Sequence, residues 1–201
     1  MLQSRLRGPV SVLITPICRF LLQIGLRANH LTVIGAFGSS TCAIYFFSQG
    51  KFLVGTLLVT IFLLTDLLDG TMARLSSGTG TKWGAFLDST VDRIADAALL
   101  IGILSYISEQ SGKNFSRWSE ALVLATLVMS FLVSYVRARA EALGIDCAVG
   151  IGERTERLVV LLIGTGFYGL GFDAAIDTSL WLVLVMSTVT VIQRVIVVAR
   201  A

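Results

Sequence analysis

Along the chain, long apolar runs alternate with short polar interruptions. Six runs stand out, at about residues 31–48, 52–72, 84–107, 119–140, 157–172 and 178–198. Most approach the roughly 20 residues that a helix needs to cross a hydrocarbon core. Only helices and closed barrels satisfy backbone polar groups in lipid, and these runs are too long and continuous for barrel strands. The pattern therefore predicts six transmembrane helices. The fifth run is short and holds Gly164, Gly166, Gly169 and Gly171. Its helix is expected either to begin earlier, near Glu153, or to pack closely on a neighbour through small residues.

Ahead of the first run, Val10, Leu13, Ile14, Ile17, Phe20, Leu21 and Ile24 recur at helical spacing, while Ser11, Arg19 and Gln23 fall elsewhere. That periodicity suits an amphipathic helix lying in the membrane interface, with Thr15-Pro16 marking its start. An ordinary buried helix is the alternative. The expectation is an all-α integral membrane protein. Residues 1–28 form an N-terminal interfacial amphipathic segment and residues 29–201 a six-helix transmembrane domain.

Composition agrees. The chain is 55% hydrophobic and 14% charged, with a mean hydropathy of +0.82, whereas soluble domains carry about 25% charged residues. No removable signal peptide is expected from the N-terminal sequence. Cys18, Cys42 and Cys147 are isolated, and His30 is the single histidine, which argues against a disulfide framework and histidine-centred chemistry. Six spans put both termini on one side of the membrane, and that side would hold thirteen of the sixteen Lys and Arg residues. The bias predicts cytoplasmic termini in a multi-pass protein of the cell membrane. No nucleic-acid partner is expected.

Four carboxylates break the apolar pattern: Asp66, Asp69, Asp88 and Asp92. An aspartate near the centre of a spanning helix costs roughly 2.5–3.5 kcal/mol, so four together call for a reason. From Phe52 to Asp66 a helix climbs about 21 Å, past the bilayer midplane. Asp66 and Asp69 then lie toward its cytoplasmic end, and a polar linker, Leu75–Trp83, returns the chain so that Asp88 and Asp92 stand at the same depth. Asp66, Asp69, Gly70 and Ala73 fall at i, i+3, i+4 and i+7; Gly84, Asp88 and Asp92 fall at i, i+4 and i+8. Each set is one helical stripe, and Gly70, Ala73 and Gly84 clear bulk beside the acids. Oxygen ligands suit a hard divalent cation, with Mg²⁺ favoured where a phosphate adds oxygens and Mn²⁺ a substitute. A solvated helix–loop–helix face would explain one or two of the acids but not the small-residue stripe.

The pattern Asp-x2-Asp-Gly-x2-Ala-Arg, a nine-residue spacer, then Gly-x3-Asp-x3-Asp resembles the signature of the CDP-alcohol phosphotransferases. Asp66, Asp69, Gly70, Ala73, Arg74, Gly84, Asp88 and Asp92 fill every fixed position. The resemblance implies that Asp66, Asp69 and Asp88 bind the metal at the CDP diphosphate, that Asp92 completes the cluster and acts as general base, and that Gly70 and Arg74 contact CDP. The implied reaction is attack of an alcohol oxygen on the phosphatidyl phosphorus of a CDP-lipid, with CMP leaving. Asp96, one turn beyond Asp92, either supports the base or makes a polar helix–helix contact.

The acceptor alcohol has to be read elsewhere. Arg137 ends the fourth run, Arg154 precedes the fifth, and Arg194 lies inside the sixth, where an arginine marks a functional hypothesis. Ordinary flanking charge also accounts for Arg137 and Arg154, but fits Arg194 poorly. From about Thr15 to Arg194 the chain resembles the bacterial phosphatidylinositol-phosphate synthases within the family, through Val133–Ala142, Gly152–Leu158 and Gln193-Arg194. That resemblance implies CDP-diacylglycerol and inositol 1-phosphate as substrates, Arg137, Arg154 and Arg194 around the acceptor phosphate, and a homodimer among membrane lipids. It also places Asn29, His30, Leu31 and Thr32 at the nucleotide, with Thr81 as a further contact. Two alternatives stand beside it: a phosphatidylglycerophosphate synthase acting on glycerol 3-phosphate, and a cation or proton transporter. The acids cluster at one membrane face instead of forming a relay across it, which disfavours the transporter.

Overall fold

The computed structural model describes residues 15–77, 81–110, 115 and 117–201; for residues 66, 67, 69, 70, 74, 76, 77 and 117 it describes the backbone alone. The described residues contain no β-strand. They open in helix α1 (15–23), followed by α2 (Ala28–Cys42), which runs on through a π turn at Ala43–Phe47. Then come α3 (Phe52–Ser77), α4 (Lys82–Glu109), α5 (Arg117–Ala142), α6 (Arg154–Gly169) and α7 (Ala175–Arg200). Helices α2 to α7 coincide with the six apolar runs. Helix ends and run ends differ by a few residues, most visibly where α3 continues through Ser77 and α4 starts at Lys82. Polar residues at a helix end keep the backbone bonded while leaving the hydrophobic pattern.

Among the described residues, three helical stretches are long and apolar enough to cross a membrane: Ala28–Phe47, Trp118–Ala142 and Ala175–Arg200, with a shorter apolar stretch at Phe52–Thr65. Burial follows the same logic. Ser39, Thr126, Ser130, Thr165, Ser179, Ser187 and Thr190 are buried, while Phe37, Leu57, Val128, Ile163 and Val185 are exposed. Hydroxyls inside and large apolar side chains outside are what a lipid-solvated bundle requires. The chain is a membrane protein.

The described residues gather into two compact units, one holding residues up to Thr41 together with Leu58–Ala95, the other Cys42–Leu57 with Asp96–Ala201. In the first, Cys18, Leu31 and Met72 form a buried cluster, with Leu21, Leu22, Leu26, Ala28 and Leu68 against it. Helix α1 therefore turns Cys18, Leu21 and Leu22 inward, while Ile17, Phe20 and Ile24 remain exposed. Val10, Ser11, Leu13 and Ile14 of the expected amphipathic stretch lie outside the described residues. Small residues bring α2 onto α3: a β-carbon on Gly35 would strike Thr65, and one on Gly38 would strike the Phe62 ring. At the start of α4, the exposed Trp83 ring stacks on Phe86 at 5.7 Å.

In the second unit α7 packs on both α5 and α6. The α6 contact is close because a side chain on Gly164 would strike Ser179. Both expectations for the fifth run hold, since Glu153 is the N-cap of α6 and its glycines pack against neighbours. The Thr56 and Thr165 hydroxyls bond at 2.8 Å. At one end, Phe52 packs edge-on against Tyr106 and Tyr168, whose hydroxyls lie 3.1 Å apart. Helix α5 closes with Gly144 at a φ of 77°, where Ile145 N–H reaches back to Ala140 O and Gly144 N–H to Glu141 O. That is a Schellman cap, which wants a left-handed residue at this position.

Candidate active site

The acidic stripe of α4 is a consequence of helical register. Gly84, Asp88 and Asp92 are separated by single turns on one continuous helix, and both aspartates are half-buried. Asp92 keeps 17% of its side chain exposed and lies 3.8 Å from the Arg93 guanidinium. On α3 the backbone places Asp66, Asp69, Gly70 and Ala73 on one stripe, with Arg74 one residue beyond; the side chains of Asp66, Asp69 and Arg74 lie outside the described residues. Ala73 is half-buried, while Thr71 and Met72 on the adjoining face are buried. Carboxylate donors one turn apart, flanked by a glycine, fit a hard divalent cation bound through oxygen.

Beside this stripe, α2 and the start of α4 meet at Gly84. A β-carbon there would lie 3.2 Å from both Asn29 Oδ1 and Thr81 Oγ1, so glycine holds open the space that Asn29 and Thr81 share. Thr81 Oγ1 accepts a hydrogen bond from Gly84 N–H at 3.0 Å and thereby caps α4. His30 is exposed, and its Nδ1 accepts from Arg27 N–H at 3.4 Å. Thr32 donates to Ala28 O at 3.2 Å. Leu31 points into the Cys18–Met72 cluster. Of the four residues expected at the nucleotide, Asn29 is thus brought to Thr81, whereas Leu31 is core.

The three arginines expected at the acceptor belong to the second unit and differ sharply in setting. Arg137 is exposed and pairs with Glu141 one turn on, at 2.8 Å. Arg154, the first residue of α6, donates from Nε to Asp96 Oδ1 at 3.1 Å. Asp96 therefore makes the polar helix–helix contact that was one of its two expected roles. Arg194 is buried at 3% exposure; Nε donates to Val149 O at 2.9 Å and one Nη to Val133 O at 2.6 Å. Guanidinium carries five N–H groups, so three remain beyond these two bonds.

A model of the CDP-alcohol phosphatidyltransferase family matches residues 26–198, which include every residue of both stripes. The chain belongs to that family. It is 38% identical over 207 aligned residues to the phosphatidylinositol phosphate synthase of Streptomyces avermitilis, covering 100% of this chain and 83% of the relative. Identity to the Mycobacterium tuberculosis phosphatidylinositol phosphate synthase is 40% over 194 residues, covering 94% and 86%. The crystal structure of that synthase with CDP-DAG bound superposes with a TM-score of 0.84 at 40% identity, covering 92% of each chain. Its complex with manganese and citrate gives a TM-score of 0.85 at 39% identity, covering 92% of this chain and 88% of the other.

Within this phosphatidyltransferase, two polar residues escaped the sequence reading. Arg157 is buried at 5% and donates to Gly152 O; Thr190 is fully buried and accepts from Gly152 N–H at 2.9 Å. Arg157 shares the buried stripe of α6 with Leu161, Gly164 and Thr165, a spacing of i, i+4, i+7 and i+8 that was open to reading in the sequence. Thr190 offered no such signal, because its partner lies 38 residues away.

Proposed function

We propose that the enzyme transfers the phosphatidyl group of CDP-diacylglycerol to inositol 1-phosphate, forming phosphatidylinositol phosphate and releasing CMP. The observation that carries this is near-full-length likeness to phosphatidylinositol phosphate synthases, with all eight signature positions intact. Asp66, Asp69, Asp88 and Asp92 hold the divalent cation, Mg²⁺ with Mn²⁺ as a substitute. When bound, it supplies charge neutralisation at the diphosphate and at the departing phosphate of CMP. Asp92 takes the proton of the acceptor hydroxyl as that oxygen attacks the phosphatidyl phosphorus; the bond from phosphorus to the CMP oxygen breaks, and the proton passes to water.

Asn29, His30 and Thr32 serve the nucleotide, Leu31 anchors their helix, and Thr81 flanks them. Gly70 and Ala73 leave room for the diphosphate, to which Arg74 offers a charge-assisted contact. Arg137, Arg154 and Arg194 take the acceptor phosphate. The six helices α2–α7 span the cell membrane with termini and active site toward the cytoplasm, α1 lies in the interface, and two chains pair as a homodimer. At 16 residues, α6 covers about 24 Å, so it crosses with help from its flanking loops.

The test is acceptor discrimination by the purified protein given CDP-diacylglycerol and Mg²⁺. CMP release with inositol 1-phosphate and none with glycerol 3-phosphate is expected. Turnover of glycerol 3-phosphate alone would reassign the enzyme to phosphatidylglycerophosphate synthesis.

A further inference from the structure

The segment between α5 and α6 ends on a residue, Gly152, whose backbone N–H and C=O are both bonded to side chains. Gly152 N–H donates to Thr190 Oγ1 on α7 at 2.9 Å, and Gly152 O accepts from Arg157 on α6. The Thr190 hydroxyl is itself oriented, since it donates to Met186 O at 2.8 Å and so presents its lone pair to Gly152. There is no spare room: a β-carbon on Gly152 would lie 3.0 Å from both Met186 O and Thr190 Oγ1. Gly152, Thr190 and Arg157 are all buried.

Two residues later comes Arg154. Between them, Glu153 caps α6 in a reciprocal box with Glu156. A cap fixes where a helix starts but not where that start sits. Position comes from the Gly152 tie, which fastens the entrance of α6 to α7 immediately before Arg154 reaches Asp96.

We infer that Thr190, through the Gly152 peptide, is a positioning residue for Arg154, and that recognition of the acceptor phosphate depends on a hydroxyl that does not contact it. This rests on the reading of Arg154 as an acceptor-phosphate ligand. Removing the hydroxyl leaves a buried N–H without its acceptor and lets the α6 entrance drift. Loss of one such bond is worth about tenfold in an equilibrium constant.

The experiment measures KM for inositol 1-phosphate and for CDP-diacylglycerol in Thr190→Val, Thr190→Ser, Gly152→Ala, Arg154→Ala and the Thr190→Val/Arg154→Ala pair. Thr190→Val should raise the acceptor KM about tenfold while the CDP-lipid KM stays within about twofold. Thr190→Ser, which keeps the hydroxyl, should stay near the parent, and Gly152→Ala should follow Thr190→Val. In the Arg154→Ala background, Thr190→Val should add nothing, because the residue through which it acts is gone. Equal rises in both KM values, no rescue by serine, or full additivity with Arg154→Ala would each overturn the inference. If Thr190→Val does not fold, Gly152→Ala and the serine variant decide by the same split. An acceptor KM raised by Arg154→Ala but untouched by Thr190→Val sinks the positioning role alone. An acceptor KM unmoved by Arg154→Ala sinks the assignment of Arg154 and the inference with it.

Discussion

The two units handle charge in opposite ways. In the first, Asp88 and Asp92 sit half-buried along one face of α4, with a glycine at the head of the stripe. In the second, Arg194 is buried to 3% exposure and bound to two backbone carbonyls. Under the metal-binding role proposed above, carboxylates that are to receive a cation need a path to it, and Asp88 and Asp92 both remain partly exposed. A buried guanidinium has the opposite need. Its charge is tolerable in an apolar bundle only when carbonyls solvate it, and its five N–H groups allow that while some remain for a ligand. On the proposed reading, one unit receives charge and the other holds it.

The hardest test of this contrast is on the carboxylate side. Asp92→Asn should lower CMP release by roughly 10²–10⁴-fold, the scale of a lost general base, while CDP-lipid binding survives. Chelation with EDTA should stop turnover, and added Mg²⁺ should restore it; unimpaired turnover in EDTA would remove the metal from the account. Next come the arginines. Arg194→Ala should destabilise the detergent-solubilised protein by about 2–4 kcal/mol, because the carbonyls of Val149 and Val133 lose a charged donor. Arg137→Ala should change stability by less than about 0.5 kcal/mol, since its pair with Glu141 is exposed, yet raise the acceptor KM. Thermal unfolding beside acceptor titrations separates the two, and similar stability losses would erase the distinction between them. A smaller effect belongs to Asp96→Asn, which removes the ion-pair partner of Arg154 and should raise the acceptor KM by a few-fold. Of similar size is Thr81→Ala, expected to cost about 1 kcal/mol as a lost N-cap. A rise in CDP-lipid KM beyond that cost would show that Thr81 also meets the nucleotide.

Much of this arrangement could be read before any coordinates, and the reason is solvent. Lipid forces apolarity along each helix, so α2 to α7 announce themselves as runs, and acids at helical spacing stand out against them. Helix ends were less legible, because Ser77 and Lys82 remain helical where hydropathy has already fallen. The π turn at Ala43–Phe47 left no sequence mark. It widens the helix where a β-carbon on Gly102 would strike Ala43 O, a packing relation that spans 59 residues of chain. The loop before α6 was equally hidden. Cys147, Val149 and Gly152 read as ordinary connecting residues until Arg194 and Thr190 on α7 are seen to bind them. Local pattern reveals elements and stripes; ties between distant hydroxyls, guanidiniums and carbonyls need the fold.

The stacked Trp83–Phe86 pair has an optical consequence. The chain has three tryptophans, and the other two, Trp118 and Trp181, lie on α5 and α7. Replacing those two by phenylalanine leaves one indole, exposed and adjacent to Gly84, one turn ahead of the first α4 carboxylate. Its emission would then report on the head of the acidic stripe alone, so that the proposed filling by a nucleotide lipid would be read as a change of colour and intensity, followed in real time without any attached dye.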